Sequence, residues 1–163
     1  MNVYLRKNRS TIADMRLRIV TILLVVAVLI VGLASLAPKS ITKYFADADG
    51  YIVYCRKTDL PHEDNGLGKE VRCYGDIGKT LAKCKYVDGV TVCLPADTDV
   101  DAIVERLAVS VCSLQKIANV YVFCGYSTLV KGGIYVDGQL VNLQIAVAEH
   151  GVFVGSPLLL GSY

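Results

Sequence analysis

The sequence predicts an α+β fold: an N-terminal transmembrane helix followed by a small domain with a mainly antiparallel sheet and one long amphipathic helix packed on one face. Three observations carry this expectation. Residues 19–37 are an unbroken apolar run, residues 97–119 repeat apolar side chains at helical spacing, and most of the remainder alternates strand-like runs with turn signals.

The apolar run, IVTILLVVAVLIVGLASLA, carries no charge and accounts for much of the positive mean hydropathy, +0.46, of this 163-residue chain. As a helix it would rise about 28 Å at ~1.5 Å per residue, near the ~30 Å hydrocarbon core of a bilayer. It also lacks the polar stripe that a helix buried on one side retains. Ahead of it, residues 1–18 form a basic leader in which Arg6, Lys7, Arg9, Arg16 and Arg18 face only Asp14. This bias predicts a cytoplasmic N-terminus, a linker at 38–48 and an extracytoplasmic domain at 49–163. The alternative is secretion after signal cleavage. A cleaved signal has a shorter apolar region, ~7–15 residues, before a small-residue site. Here Ser35-Leu36-Ala37 runs directly into Pro38, which suits cleavage poorly, and Gly32-Leu33-Ala34 is a weaker site. No cysteine follows the run directly, so a lipidated cysteine is not supported.

In the domain, GYIVYCRK (50–57) and KEVRCYGDI (69–77) read as strands flanking the polar loop 58–68. GKTLAKCKYV (78–87) fits either a short helix or a strand. YVDGVTV (86–92) and YVDGQLV (135–141) each place Asp-Gly between apolar runs, the signal of a type I′ hairpin turn, and so predict two turns rather than a duplicated ligand motif. In PADTDVDAIVERLAVSVCSLQKIAN, Asp97, Thr98 and Asp99 supply caps, while Ile103, Leu107, Val111, Leu114 and Ile117 share one helical face. Strands follow at 119–127, 129–136 and 139–147, then VFVGSPLLLGSY. In QLVNLQIAV, Val141, Leu143, Ile145 and Val147 form an apolar face, and the other face carries Asn142 and Gln144.

With the leader's charges set aside, the remainder of the chain nets −2, so the basic footprint of a nucleic-acid binder is missing and none is expected as a partner. Cys55, Cys73, Cys84, Cys93, Cys112 and Cys124 are candidate disulfide participants with 15 connectivities. Their strand-like settings equally fit buried thiols, and no C-x-x-C pair supports a metal. No G-x-S-x-G sequence or phosphate-binding glycine motif occurs, so no catalytic, cofactor-binding or metal residue is assigned.

YVDGQLVNLQIAV followed by VGSPLLLGSY resembles the end of the YwmB-like family, over residues 119–163. That family comprises membrane-anchored or secreted proteins of spore-forming Gram-positive bacteria with a TATA-box-binding-protein-like fold. The resemblance implies a curved antiparallel sheet with helices on one face and a role in sporulation or envelope assembly. It transfers neither DNA binding nor catalytic residues. Together these readings predict a membrane-anchored interaction module for an extracytoplasmic protein or cell-wall partner. Tyr121, Tyr126, Tyr135, Asn142 and Gln144 are its candidate contact face. A secreted or anchored envelope hydrolase is the alternative.

Overall fold

A computed structural model describes residues 19–30 and 39–160. The chain divides into two compact units, residues 1–37 and 38–163, each described by itself. In the first, residues 19–30 are helical and are called α1. Among the described residues no helix is long and apolar enough to cross a membrane. This corrects the expected transmembrane helix at 19–37 and the signal anchor read from it. The basic leader, and residues 31–37 of the apolar run, lie outside the described residues.

The second unit is mostly β. Its strands in chain order are β1 (Gly50–Thr58), β2 (Glu63–Asp64), β3 (Lys69–Cys73), β4 (Cys84–Leu94), β5 (Ser110–Ile117), β6 (Val120–Tyr126), β7 (Ile134–Val136), β8 (Gln139–Val141), β9 (Leu143–Ala148) and β10 (Gly151–Ser156). Eight of them make one sheet in the order β2-β3-β1-β4-β10-β9-β6-β5, antiparallel at every junction, while β7 and β8 form a separate ribbon.

The long amphipathic helix is absent. Its first part is α3 (Val100–Arg106), capped by Asp99, whose carboxylate accepts from the Ala102 N–H at 3.1 Å. Leu107 and Ala108 then end it: Ala108 takes φ +47°, and the Val109 N–H returns to the Val104 carbonyl at 2.9 Å. That is the closure a glycine usually makes at a helix end, here made by alanine. The rest of the expected helix is β5, hairpinned onto β6 through Ala118 and Asn119. The β-branched Val111 and Ile117 suit that strand, and the neighbouring VYVFC run supplies a ladder that an isolated helix could not offer.

The two Asp-Gly pairs also part company. Asp137 (φ +49°) and Gly138 (φ +81°) do make the two-residue turn between β7 and β8. Asp88-Gly89 instead lies within β4. There Tyr54 pairs with Gly89 and Cys55 with Val87, so Asp88 is the extra residue of a bulge. The ambiguous segment at 78–87 resolves into both readings, α2 (Ile77–Lys83) and then the start of β4.

One face of the sheet carries the core. Tyr51 of β1, Val90 and Val92 of β4, Val152 and Val154 of β10, and Leu143 and Ile145 of β9 pack with Ile41, Phe45, Ile103 and Leu107. Val53, Cys55, Val71 and Cys84 extend this layer under Leu60, Ile77 and Leu81. All the short helices of this unit therefore lie on one side of the sheet, and the other side is left to make a site.

Candidate functional site

Alternation along the strands puts Glu70 and Arg72 of β3, Ile52 and Tyr54 of β1, Thr91 and Cys93 of β4, Phe153 of β10 and Gln144 of β9 on the face away from the helices. The register ties them together. Arg72 and Thr91 flank Ile52, Glu70 lies opposite Tyr54, and Phe153 lies opposite Cys93. A cleft of about 380 Å³ opens over this patch, walled by Arg72, Tyr74, Cys93, His150 and Phe153 with Ile52 at its base. His150 stands edge-on to Phe153 at 5.6 Å between ring centroids.

The electrostatics of the cleft centre on one cation, Arg72. Glu70 is buried, and its carboxylate accepts from the Arg72 guanidinium at 3.0 Å; Glu63 lies 4.0 Å from the same group. Burial works against the Arg72 charge, but Glu70 and Glu63 outweigh it and hold the guanidinium above its ordinary value. Arg72 is therefore a fixed cation, braced from below and about half exposed at the cleft. Burial, chiefly, and then the Glu70 charge push the Tyr54 hydroxyl up to about 12. Burial also raises the Cys93 thiol, whereas a reactive cysteine needs the reverse shift. A second cavity, about 450 Å³, adjoins Tyr54 and is lined by the Arg56–Asp88 ion pair and by Leu67 and Leu160.

A tail crosses part of the same face. The Leu159 N–H donates to Gln144 Oε1 at 3.0 Å, and the Leu158–Leu159 backbone passes so close to Gly155 that a Cβ there would sit 2.7 Å from it. The tail runs on across Gly89 of β4 to Asn65, whose Nδ2 donates to the Leu160 carbonyl at 3.5 Å, and it leaves the Arg72–Cys93–Phe153 end of the face open as the cleft.

The expected contact residues are not gathered into one patch. Asn142 is fully buried, and its amide ties together Ser127 and Val130. Gln144 lies under the tail and donates to Cys124 Sγ at 3.4 Å. Tyr121 pairs with Val147 on the helix side and carries Lys116 over its ring at 4.9 Å. Tyr126 ends β6 next to Ser110, and Tyr135 projects from the β7–β8 ribbon. The six cysteines are all free: Cys55, Cys73 and Cys84 are buried, while Cys93, Cys112 and Cys124 are partly exposed. Among the described residues no three His, Cys, Asp or Glu side chains converge as a metal site. The cleft residues Arg72, Tyr74, Cys93, His150 and Phe153 were not singled out from sequence. The signal was the strict alternation in KEVRCY, which sets Glu70, Arg72 and Tyr74 on one side and the core residues Val71 and Cys73 on the other.

No protein-family model matches the chain, and no curated protein or solved structure shows significant similarity to it.

Proposed function

We propose that the second unit is a binding module whose ligand surface is the cleft on the helix-free face. The ligand group it suits has an aromatic or apolar body and an anionic hydrogen-bond acceptor. The observation that carries this reading is Arg72, braced by buried Glu70 yet half exposed beside the rings of Tyr74, His150 and Phe153. A guanidinium so held presents its remaining N–H donors in fixed directions, and aromatic walls supply the apolar contact. The volume falls within the ~300–1,000 Å³ range of small-ligand sites. A side chain or chain end of an extracytoplasmic protein, or a cell-wall component, is the partner this reading implies; the extracytoplasmic placement rests on the sequence pattern.

Sodium benzoate, the simplest probe with this chemistry, tests the reading by saturation-transfer NMR on the full chain. Saturable binding is expected in the wild type. Arg72→Gln should weaken it roughly tenfold or more, because a hydrogen bond to a charged group contributes about 1.5–3 kcal/mol. Tyr74→Ala should weaken it by a smaller factor. Equal binding by wild type and both variants would sink the proposal.

A further inference from the structure

We propose that β5 is a docking edge for a second copy of this chain, the two β5 strands pairing antiparallel about a two-fold axis at Leu114.

The sheet has two outer strands of opposite character. At one end β2 is a two-residue strand, Glu63–Asp64, both acidic and exposed. Short, charged edges of this kind resist pairing with other chains. At the other end β5 runs for eight residues without a proline, uncharged up to Lys116. Its outer row of backbone donors and acceptors meets no other strand of the sheet.

The side chains of β5 extend the contrast. Val111 and Leu114 are 48% and 58% exposed, with Tyr121 on β6 45% exposed on the same face, and Ile117, paired with Val120 on the other face, is 56% exposed. A bulge between Val111 and Ser113 brings Val111 and Leu114 onto the same face, since Val111 pairs with Gly125 and Leu114 with Phe123. Phe123 packs against the core, so the apolar layer continues to the rim of the sheet, where among the described residues no further strand of the sheet follows.

The pattern is self-complementary, which selects the occupant. With the axis at Leu114 and the bulge retained, Leu114 meets Leu114 of the partner subunit on the helix side. Ser113 then meets the partner's Gln115, polar against polar on the far face. Val111 lies under the alkyl stem of the partner's Lys116, a use that lysine stems favour at apolar rims. The two Lys116 charges end up about 13 Å apart at ~3.3 Å per residue, so the only charged group on the strand does not oppose itself. Such an isologous contact closes at two copies and produces no open filament.

Site-specific cross-linking of the full chain tests this. In a Cys112→Ser background, Leu114→Cys treated with copper phenanthroline should give a covalent dimer on a non-reducing gel, several-fold above the parent. Tyr135→Cys, exposed on the separate β7–β8 ribbon, should stay at the parent level. Leu114→Lys should convert a dimer to a monomer by light scattering with its thermal transition retained. If Leu114→Lys fails to fold, the Leu114→Cys result decides alone. A monomeric Leu114→Cys chain, or equal cross-linking of Tyr135→Cys, overturns the proposal.

Discussion

Asn142→Ala is the sharpest test of the packing described above. The side chain is fully buried. Its Oδ1 accepts from the Ser127 N–H at 2.8 Å, and its Nδ2 donates to the carbonyls of Ser127 at 2.7 Å and Val130 at 2.8 Å. These bonds fix the 127–130 segment to the start of β9, where the Asn142 N–H also donates to the Gly125 carbonyl at 3.1 Å. Alanine removes all three side-chain bonds, strands the Ser127 N–H and the Val130 carbonyl, and leaves the Ser127 carbonyl only the Val130 N–H at 3.4 Å. At about 0.5–1.5 kcal/mol per bond the loss is roughly 1.5–4.5 kcal/mol, with ~3 kcal/mol as the working value. Urea unfolding of the full chain, followed by circular dichroism, should show the midpoint lowered by roughly 1–2 M at an unchanged slope, given m of about 2 kcal/mol per M. Gln144→Ala, which loses only its bonds to the tail and to Cys124, should cost about 1 kcal/mol. A loss below ~1 kcal/mol for Asn142→Ala would mean that the amide is replaceable by water, and the clip described here would be refuted.

Other consequences can be checked alongside. Cys55 and Tyr54 are both held neutral: burial, then the hydrogen bond with Cys84, raises Cys55 from 9.0 to about 11, and burial, then Glu70, raises Tyr54 from 10.0 to about 12. Their folded values lie above their unfolded ones, so the unfolded chain loses these protons first. Stability should be intact below about pH 9 and fall through pH 9–11 for Cys55 and 10–12 for Tyr54; Tyr54→Phe should flatten the upper limb of the urea midpoint plotted against pH, and an unchanged slope would count against the assignment. Leu107→Ala deletes a fully buried side chain at the end of α3 and should cost about 2–5 kcal/mol by thermal or urea unfolding. Gly155→Ala places a Cβ against the Leu158–Leu159 backbone, so chymotrypsin should cut at the tail leucines faster than in wild type, and an unchanged rate would show that the tail does not rest on Gly155. A membrane-impermeant maleimide on the native protein should modify Cys93, Cys112 and Cys124 and spare Cys55, Cys73 and Cys84 by mass spectrometry; applied to intact cells, the same labelling would support the extracytoplasmic placement, and its appearance only after lysis would refute it.

The elements that could be read from the sequence are those whose signals are local. β1, β3 and β9 announce themselves through β-branched and aromatic content, and the apolar side of β9 (Leu143, Ile145, Val147) does face the core. Asp137-Gly138 is a turn because two consecutive positive-φ residues suit that pair. Asp88-Gly89 carries the same letters, yet strand pairing with β1 on one side and β10 on the other absorbs it as a bulge. The cleft was hidden for a related reason. It draws on β3, β1, β4 and β10, and only the sheet order brings Arg72, Cys93 and Phe153 side by side. Asn142 shows the converse: alternation alone placed it beside Gln144, while the break between β8 and β9 turned it inward.

The segment at 97–119 shows why the longest periodic signal misled. Spacings of three and four residues mark a helical face, but a strand with one bulge also returns residues three apart to the same side, as Val111 and Leu114 show. Ile103 and Leu107 are consistent with helix and are buried. The choice between the two structures falls on Ala108 and Ala118, the positive-φ residues that end α3 and turn β5 into β6. Neither is glycine or asparagine, so both breaks are unmarked in the sequence. Each costs on the order of 1 kcal/mol in backbone strain, an expense that seven cross-strand pairs between β5 and β6 repay. The same exchange leaves Leu114 at the sheet rim instead of on a helix stripe against the core. The apolar residues that made the helix look certain therefore become the exposed edge at which a second copy is expected to pair.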